Sequence, residues 1–292
     1  MRKYVVAVSG GVDSMVLLHA LHTKSPIAGI DPWRLLEQGE LIVAHFDHGI
    51  RSDSADDAAF VVATAQDIGI PVYTKREELG VGTSEERARD RRYGFLKSIA
   101  AQHNARIVTA HHEGDIGETI AINLTRGTGW RGLAVLDAPD ISRPLLSLSK
   151  QEIISYAKAN DVRWHEDSTN TDTRYLRNAL RQKLFANQDT LRQLAALRSH
   201  QIQIKQLIEQ EIVAIDLGEY EVSRYFLSHC GDTVAIEVLR AICLRYGGSG
   251  LTIPQRKRLL HAIKVAKQGT TINVGDGINI QFSRTGFVVV KP

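Results

Sequence analysis

Cysteine is scarce in this sequence: Cys230 and Cys243 are the only two in 292 residues. They are too far apart for a Cys-x-x-Cys motif and too few to staple a secreted chain of this length, so both read as packing residues. Long apolar runs are also missing. The most apolar stretches, residues 4–8 and 287–290, are strand-sized, against the roughly 20 residues a membrane-spanning helix needs. The first strand pattern begins after only Met1, Arg2 and Lys3, which leaves no room for a secretory signal, so the expected setting is cytoplasmic with no membrane partner. Eleven histidines are present, but neither His-Glu-x-x-His nor a Cys/His ligand spacing accompanies them, and no structural zinc is expected. Charge of one sign is lacking too. With 36 basic and 33 acidic residues the net charge is +3, too even for total charge to mark a nucleic-acid binder.

What is present is the makeup of an ordinary globular protein, 43% hydrophobic and 24% charged, long enough for two domains. Up to about residue 185, short β-branched runs alternate with amphipathic stretches, the pattern of successive βαβ units. Strands are expected at 4–8, 41–46, 72–75 and 107–110, and helices at 13–22, 53–68, 84–103, 115–125 and 150–160. Thr83 with Glu86 has capping-box spacing for the third helix, and Ser149 is the expected N-cap of the fifth. The fold class is therefore α/β, an open, mostly parallel sheet with helices on both faces, whose ligands bind at the carboxyl ends of the strands. The first domain is set at residues 1–186.

Residues 187–292 form the second domain. Leu191, Leu194, Leu197, Ile204, Leu207, Ile208, Ile212 and Ile215 recur mostly at three- and four-residue steps, as on one face of a long linking helix. Helices follow at 234–245 and 255–267. Three short strands, 271–274, 278–283 and 287–290, are separated by Gly275-Asp276-Gly277 and Arg284-Thr285-Gly286, so the chain is expected to finish in antiparallel hairpins. A helical domain with apolar stripes can pair with itself, and a homodimer is an expectation on that ground.

The strongest local signal follows the first strand. Ser9-Gly10-Gly11-Val12-Asp13-Ser14 leads straight into an apolar helix, which makes an anion site. Glycines let backbone amides approach an oxyanion, the Ser9 and Ser14 hydroxyls add donors, and the helix start adds positive partial charge. The loop has neither the spacing nor the lysine of a Walker A sequence, and it is not the GxGxxG of dinucleotide binders. In its strand-loop-helix context, SGGxDS resembles the loop of the N-type ATP pyrophosphatases, which split ATP into AMP and pyrophosphate.

Further strings follow in order. His45-Phe46-Asp47-His48-Gly49-Ile50-Arg51 ends the second strand. Glu85-Glu86-Arg87-Ala88-Arg89 leads to Arg92-Tyr93, and Thr109-Ala110-His111-His112 leads through Asp115 to Glu118-Thr119. Then come Leu124-Thr125-Arg126-Gly127-Thr128-Gly129, Arg143-Pro144-Leu145-Leu146, and Asp167-Ser168 with Asn170, Arg177-Asn178 and Arg181. In that order and at those separations they resemble the tRNA(Ile)-lysidine synthases across nearly all of the first domain. The further C-terminal domain of longer members is not expected here.

The resemblance implies ligation of lysine to C2 of the first anticodon cytidine of a CAU-bearing tRNA(Ile). ATP would form an adenylated intermediate, and the products would be lysidine, AMP and pyrophosphate. The implied partners are that tRNA and L-lysine, with ATP as co-substrate and Mg²⁺ bound with it. Ser9, Gly10, Gly11, Val12, Asp13 and Ser14 would hold the phosphates, and adenine would lie near Ala7 and Val8. Asp47, Asp115 and Arg126 are the catalytic candidates, with Asp47 or Asp115 also candidates for Mg²⁺. His48, Arg51, Arg89, His111, His112, Glu118, Arg177 and Arg181 are candidates to meet cytidine, lysine or tRNA. Arg256, Lys257 and Arg258 could touch the acceptor stem. Members of the family usually carry two adjacent aspartates where this chain has Gly114-Asp115, which weakens a paired-carboxylate role. A thiolase on the same scaffold would need reactive cysteines, and both cysteines lie outside these loops.

Overall fold

In the computed structural model of the chain, the residues described are 2–49, 54–80, 82–166, 180, 187–214, 221–245, 251–275 and 277–290. Ile50, Arg51, Asp167, Ser168, Asn170, Arg177, Asn178, Arg181 and Ile215, named above, lie outside them. Two compact units are present, Met1–Ile202 and Gln203–Pro292.

The first unit is built on a five-stranded sheet in the order β3-β2-β1-β4-β5. Its strands are β1 (Arg2–Ala7), β2 (Gly39–Asp47), β3 (Val72–Arg76), β4 (Arg106–Val108) and β5 (Ile141–Ser142). All four pairings are parallel, with Val5 opposite both Ile42 and Ile107. The helices are α1 (Val12–Thr23), α2 (Ser54–Asp67), α3 (Glu85–His103), α4 (Glu113–Thr125) and α5 (Lys150–Ala159).

Alternation along the strands explains the layering. Tyr4, Val6 and Val8 pack with Met15, Leu18, Val61 and Ile153 of α1, α2 and α5, while Val5, Ile42 and Phe46 pack with Phe95, Leu96 and Ile99 of α3. Each fully buried aliphatic side chain of this kind stabilises the unit by roughly 1.5–3 kcal/mol. Because both faces are covered, β1 reads as an unbroken apolar run. The chain winds outward from β1 to β3 and returns to place β4 on the other side of β1. The loops after β1 and β4 therefore meet at the switch point, where parallel α/β sheets bind ligands.

Several boundaries differ from the sequence reading. The N-cap of α3 is Ser84, whose hydroxyl accepts from the Arg87 amide at 3.2 Å, while the Thr83 hydroxyl donates to Leu79 O. Ser84 wins because Thr83 is already engaged by the preceding turn. The Ser149–Glu152 capping box of α5 is present. β4 stops at Val108, so Thr109 to His112 form a loop. β5 was not foreseen, since two residues show no periodicity.

The helix α6 (Gln188–Ala214) contains the boundary between the units. Leu191 and Ile212 on it are buried, but Ile204 and Leu207 are 42% and 61% exposed, so its apolar residues do not form one continuous buried stripe. The second unit adds α7 (Arg224–His229), α8 (Asp232–Arg245), α9 (Ile253–Val265) and an antiparallel sheet in the order β6-β9-β8-β7. Those strands are β6 (Val222–Ser223), β7 (Thr271–Gly275), β8 (Ile278–Phe282) and β9 (Gly286–Val290). Phe282, Phe287, Leu227, Leu239 and Leu260 fill its core, and Cys243 is buried among them. Arg256 is a correction to the sequence reading. It is only 6% exposed, donates to Ile236 O at 3.4 Å and lies 3.7 Å from Glu237, so it is not available to grip a phosphate. Lys257 and Arg258 beside it are exposed.

Candidate functional site: a phosphate loop at the switch point

The loop from Ser9 to Ser14 is held by its own hydroxyls. Ser14 Oγ accepts from the Ser9 amide at 3.1 Å, donates to Gly11 O at 2.9 Å and lies 3.2 Å from Ser9 Oγ. Gly10 has φ +95°, a backbone conformation that L side chains rarely adopt, and its carbonyl accepts from the His165 amide at 3.0 Å. Gly11 is the N-cap of α1 and has no side chain with which to cap it, so the first amides of the helix are left to an external acceptor.

Three helix starts meet around this loop. Asp13, in the first turn of α1, takes Lys150 Nζ, from the first residue of α5, on its Oδ1 at 2.5 Å. The Glu113 amide at the head of α4 donates to Leu148 O at 3.0 Å, tying that helix to the segment before α5. His112 is the N-cap of α4, its Nδ1 accepting from the Gly114 amide at 3.0 Å. A ring nitrogen that accepts carries no proton, so the imidazole proton sits on Nε2. Nε2 lies 4.0 Å from Asp13 Oδ2 and 3.9 Å from Asp115 Oδ2. Asp115 completes the capping box by accepting from the His112 amide at 2.9 Å, and Glu118 lies fully buried one turn further along α4.

A second group gathers around His111, whose Nδ1 lies 2.7 Å from the Thr109 hydroxyl. Burial pushes its pKa down to about 3; Asp115 opposes that, and the guanidinium groups of Arg143, Arg92 and Arg89 add to it. His111 is thus neutral at pH 7 and presents a hydrogen-bonding imidazole, not a cation. Arg89 and Arg92 lie 4.8 and 5.6 Å over the Tyr93 ring. Arg143 is 9% exposed, and burial lowers its pKa while its bond to the Tyr93 hydroxyl raises it. His48 is likewise pushed down by burial and by Arg92, and its Nδ1 is buried with no hydrogen-bond partner among the described residues.

Asp47 is buried at the end of β2. Its Oδ1 accepts from the Gly49 amide at 2.8 Å and its Oδ2 from Arg76 Nη1 at 3.0 Å. Burial alone would raise its pKa, but the Gly49 amide, the Ser54 hydroxyl and Arg76 together hold it below the usual carboxylate value. That geometry anchors the loop after β2. A carboxylate already committed to a guanidinium is a poor Mg²⁺ ligand. Arg126 is the C-cap of α4 and exposed, eleven residues beyond Asp115, which places it ~16 Å along the helix axis from that carboxylate.

Among the described residues, no group of three or more His, Cys, Asp or Glu side chains gathers to hold a metal unaided. Mg²⁺ ordinarily takes one or two carboxylates and completes its shell with phosphate oxygens and water. Asp13 and Asp115, flanking His112 beside an anion-binding loop, fit an ion that arrives with a nucleotide. Sequence reading named Ser9 to Ser14, His112 and Asp115, which lie together here; His111 faces Asp115, and Glu118 lies buried one turn further along α4. That reading missed Lys150 and Arg143 as site residues. Arg143 stood inside a noted motif, whereas a lysine 137 positions from its aspartate leaves no signal in the sequence.

A parallel sheet with a serine-glycine loop at its switch point, opening onto a helix start, defines an α/β protein that binds nucleotide phosphates. This chain belongs to the PP-loop domain family, which it matches over residues 1–188. It is 40% identical over 188 residues to the tRNA(Ile)-lysidine synthase of Exiguobacterium sibiricum, a match covering 62% of this chain and 42% of that protein. The protein of that name from Thermotoga maritima is 38% identical over 189 residues, covering 62% and 44%. That of Rickettsia bellii is 31% identical over 235 residues, covering 76% and 52%. The chain thus spans about half the length of the curated relatives it matches. A U34-tRNA thiolase from Methanococcus maripaludis, solved with its [4Fe-4S] cluster, shares the fold at 17% identity with a TM-score of 0.51, over 68% of this chain and 72% of that one. Among the described residues, no helix is long and apolar enough to cross a membrane.

Proposed function

We propose that the protein ligates L-lysine to C2 of the first anticodon cytidine of a tRNA(Ile) bearing CAU. ATP supplies the driving force. The cytidine O2 attacks the α-phosphorus, pyrophosphate leaves, and C2 becomes electrophilic. The lysine side-chain amine then adds at C2 and AMP departs with the former O2, giving lysidine. Lysidine pairs with A instead of G, so the tRNA would read AUA and accept isoleucine in place of methionine. Since ATP, lysine and tRNA are all cytoplasmic, so is the proposed reaction.

One observation carries this reading: the Asp115 carboxylate, at the head of α4, lies across His112 from Asp13 of the phosphate loop, in a chain 40% identical over 188 residues to a protein of that activity. In this scheme the loop amides and hydroxyls hold the triphosphate, and Mg²⁺ bound with it offsets phosphate charge. Asp115 attracts the lysine amine, and neutral His111 beside it offers a hydrogen bond. Arg89, Arg92 and Arg143 supply positive charge for the anionic adenylate and the RNA backbone.

The test is incorporation of labelled lysine into transcribed tRNA(Ile) by the intact protein and by Asp13→Ala. Incorporation should require ATP and fall at least about 100-fold in the variant. No incorporation by the intact protein, or equal incorporation by both, would remove the proposal. Because the first step releases one pyrophosphate per tRNA before lysine enters, only sustained release over many turnovers that needs tRNA but not lysine would point to thiolation chemistry instead.

A further inference from the structure

Lys150 belongs to none of the motifs read from the sequence, yet it is the side chain that touches the phosphate loop's own carboxylate. Its position is fixed from both sides. Ser149 and Glu152 form a capping box that locks the first turn of α5, and the preceding residue, Leu148, is hydrogen-bonded to the head of α4. The Nζ to Asp13 Oδ1 distance is 2.5 Å, and the two side chains are 31% and 30% exposed, so the pair is partly open to solvent and not inside a core.

Asp13 presents a difficulty for any anion at this loop. The amides around Gly11 attract phosphate, but a carboxylate in the same first turn repels it, and the Asp115 carboxylate, across His112 from Asp13, adds negative charge nearby. An ammonium on Asp13 cancels that repulsion. Three N–H donors on a flexible four-carbon stem also let one ammonium hold a carboxylate and a phosphate oxygen together, or leave the first for the second.

We propose that Lys150 is a nucleotide-phosphate-binding residue, shared between Asp13 and the triphosphate, which frees the Asp13 carboxylate for a divalent cation when the nucleotide is bound. This rests on the reading of the loop as an ATP site but not on lysidine formation.

The experiment measures binding of ATP and of inorganic pyrophosphate, each with Mg²⁺, by equilibrium dialysis of the full chain. Lys150→Met should weaken both about 10- to 100-fold, the size of one charge-assisted hydrogen bond, and Lys150→Arg should recover most of the loss. Thermal unfolding should be nearly unchanged, because the pair is partly exposed. The deciding comparison uses Asp13→Asn as a second background. If Lys150 reaches the phosphates, Lys150→Met still costs about as much there. A loss that vanishes in that background would reduce Lys150 to a counter-ion of Asp13 and overturn the proposal, as would equal binding by the unaltered protein and Lys150→Met. An unaltered protein that binds neither ligand would overturn the ATP-site reading itself, and this inference with it.

Discussion

Replacing His111 with asparagine removes a titrating group from a position where the folded protein resists its protonation. The unfolded-chain pKa is 6.5 and the folded one about 3, so between these values the unfolded chain binds a proton that the folded chain does not. The His111 contribution is therefore intact above about pH 6.5 and lost as the pH falls below it, at about 1.4 kcal/mol per pH unit. From pH 7 to pH 5 the unfolded imidazole becomes almost fully charged while the folded one stays neutral, which comes to about 2 kcal/mol. Urea unfolding followed by tryptophan fluorescence reads this in the right place, because Trp33, Trp130 and Trp164 all belong to the unit that contains His111. The unaltered protein should lose about 2 kcal/mol more between pH 7 and pH 5 than His111→Asn does. Equal losses in the two proteins would mean that His111 charges freely in the folded state, and the picture of a neutral imidazole beside Asp115 would be wrong.

Two further outcomes follow from the geometry. Gly10→Ala forces a Cβ onto a residue at φ +95°, with Val61 Cγ2 3.6 Å away. Since the space is adequate and the backbone is not, it should cost about 1–2 kcal/mol of stability in a thermal melt and weaken ATP binding by more than that strain alone. Asp47→Asn keeps a carbonyl for the Gly49 amide but discards the charge facing Arg76, and Arg76 is 45% exposed. A loss of about 1–2 kcal/mol in urea unfolding is expected; no loss would contradict its role as the anchor of the loop after β2.

Short unbroken apolar runs made β1 and β2 legible, because burial on both sides of a parallel sheet demands them over consecutive residues. The phosphate loop was equally plain: its six residues are contiguous, and they carry their chemistry wherever a strand precedes them and a helix follows. Ser149 announced the start of α5 for the same reason, since an N-cap needs only local contacts. The one-residue shift from Thr83 to Ser84, by contrast, turned on which hydroxyl the preceding turn had already claimed. β5, only two residues long, is a strand because β4 offers it an edge.

What the sequence determined by itself is therefore whatever one stretch of chain can enforce: strand and helix periodicity, helix caps, and the amide-rich turn at Gly10 and Gly11. What only the tertiary structure decided is which charges meet. Lys150 on Asp13, the arginines around His111, Arg76 on Asp47 and the burial of Arg256 against Glu237 all join residues from separate elements. Their ionisation and availability depend on distance and on exclusion of water, and neither exists until the sheet has brought its loops to one edge.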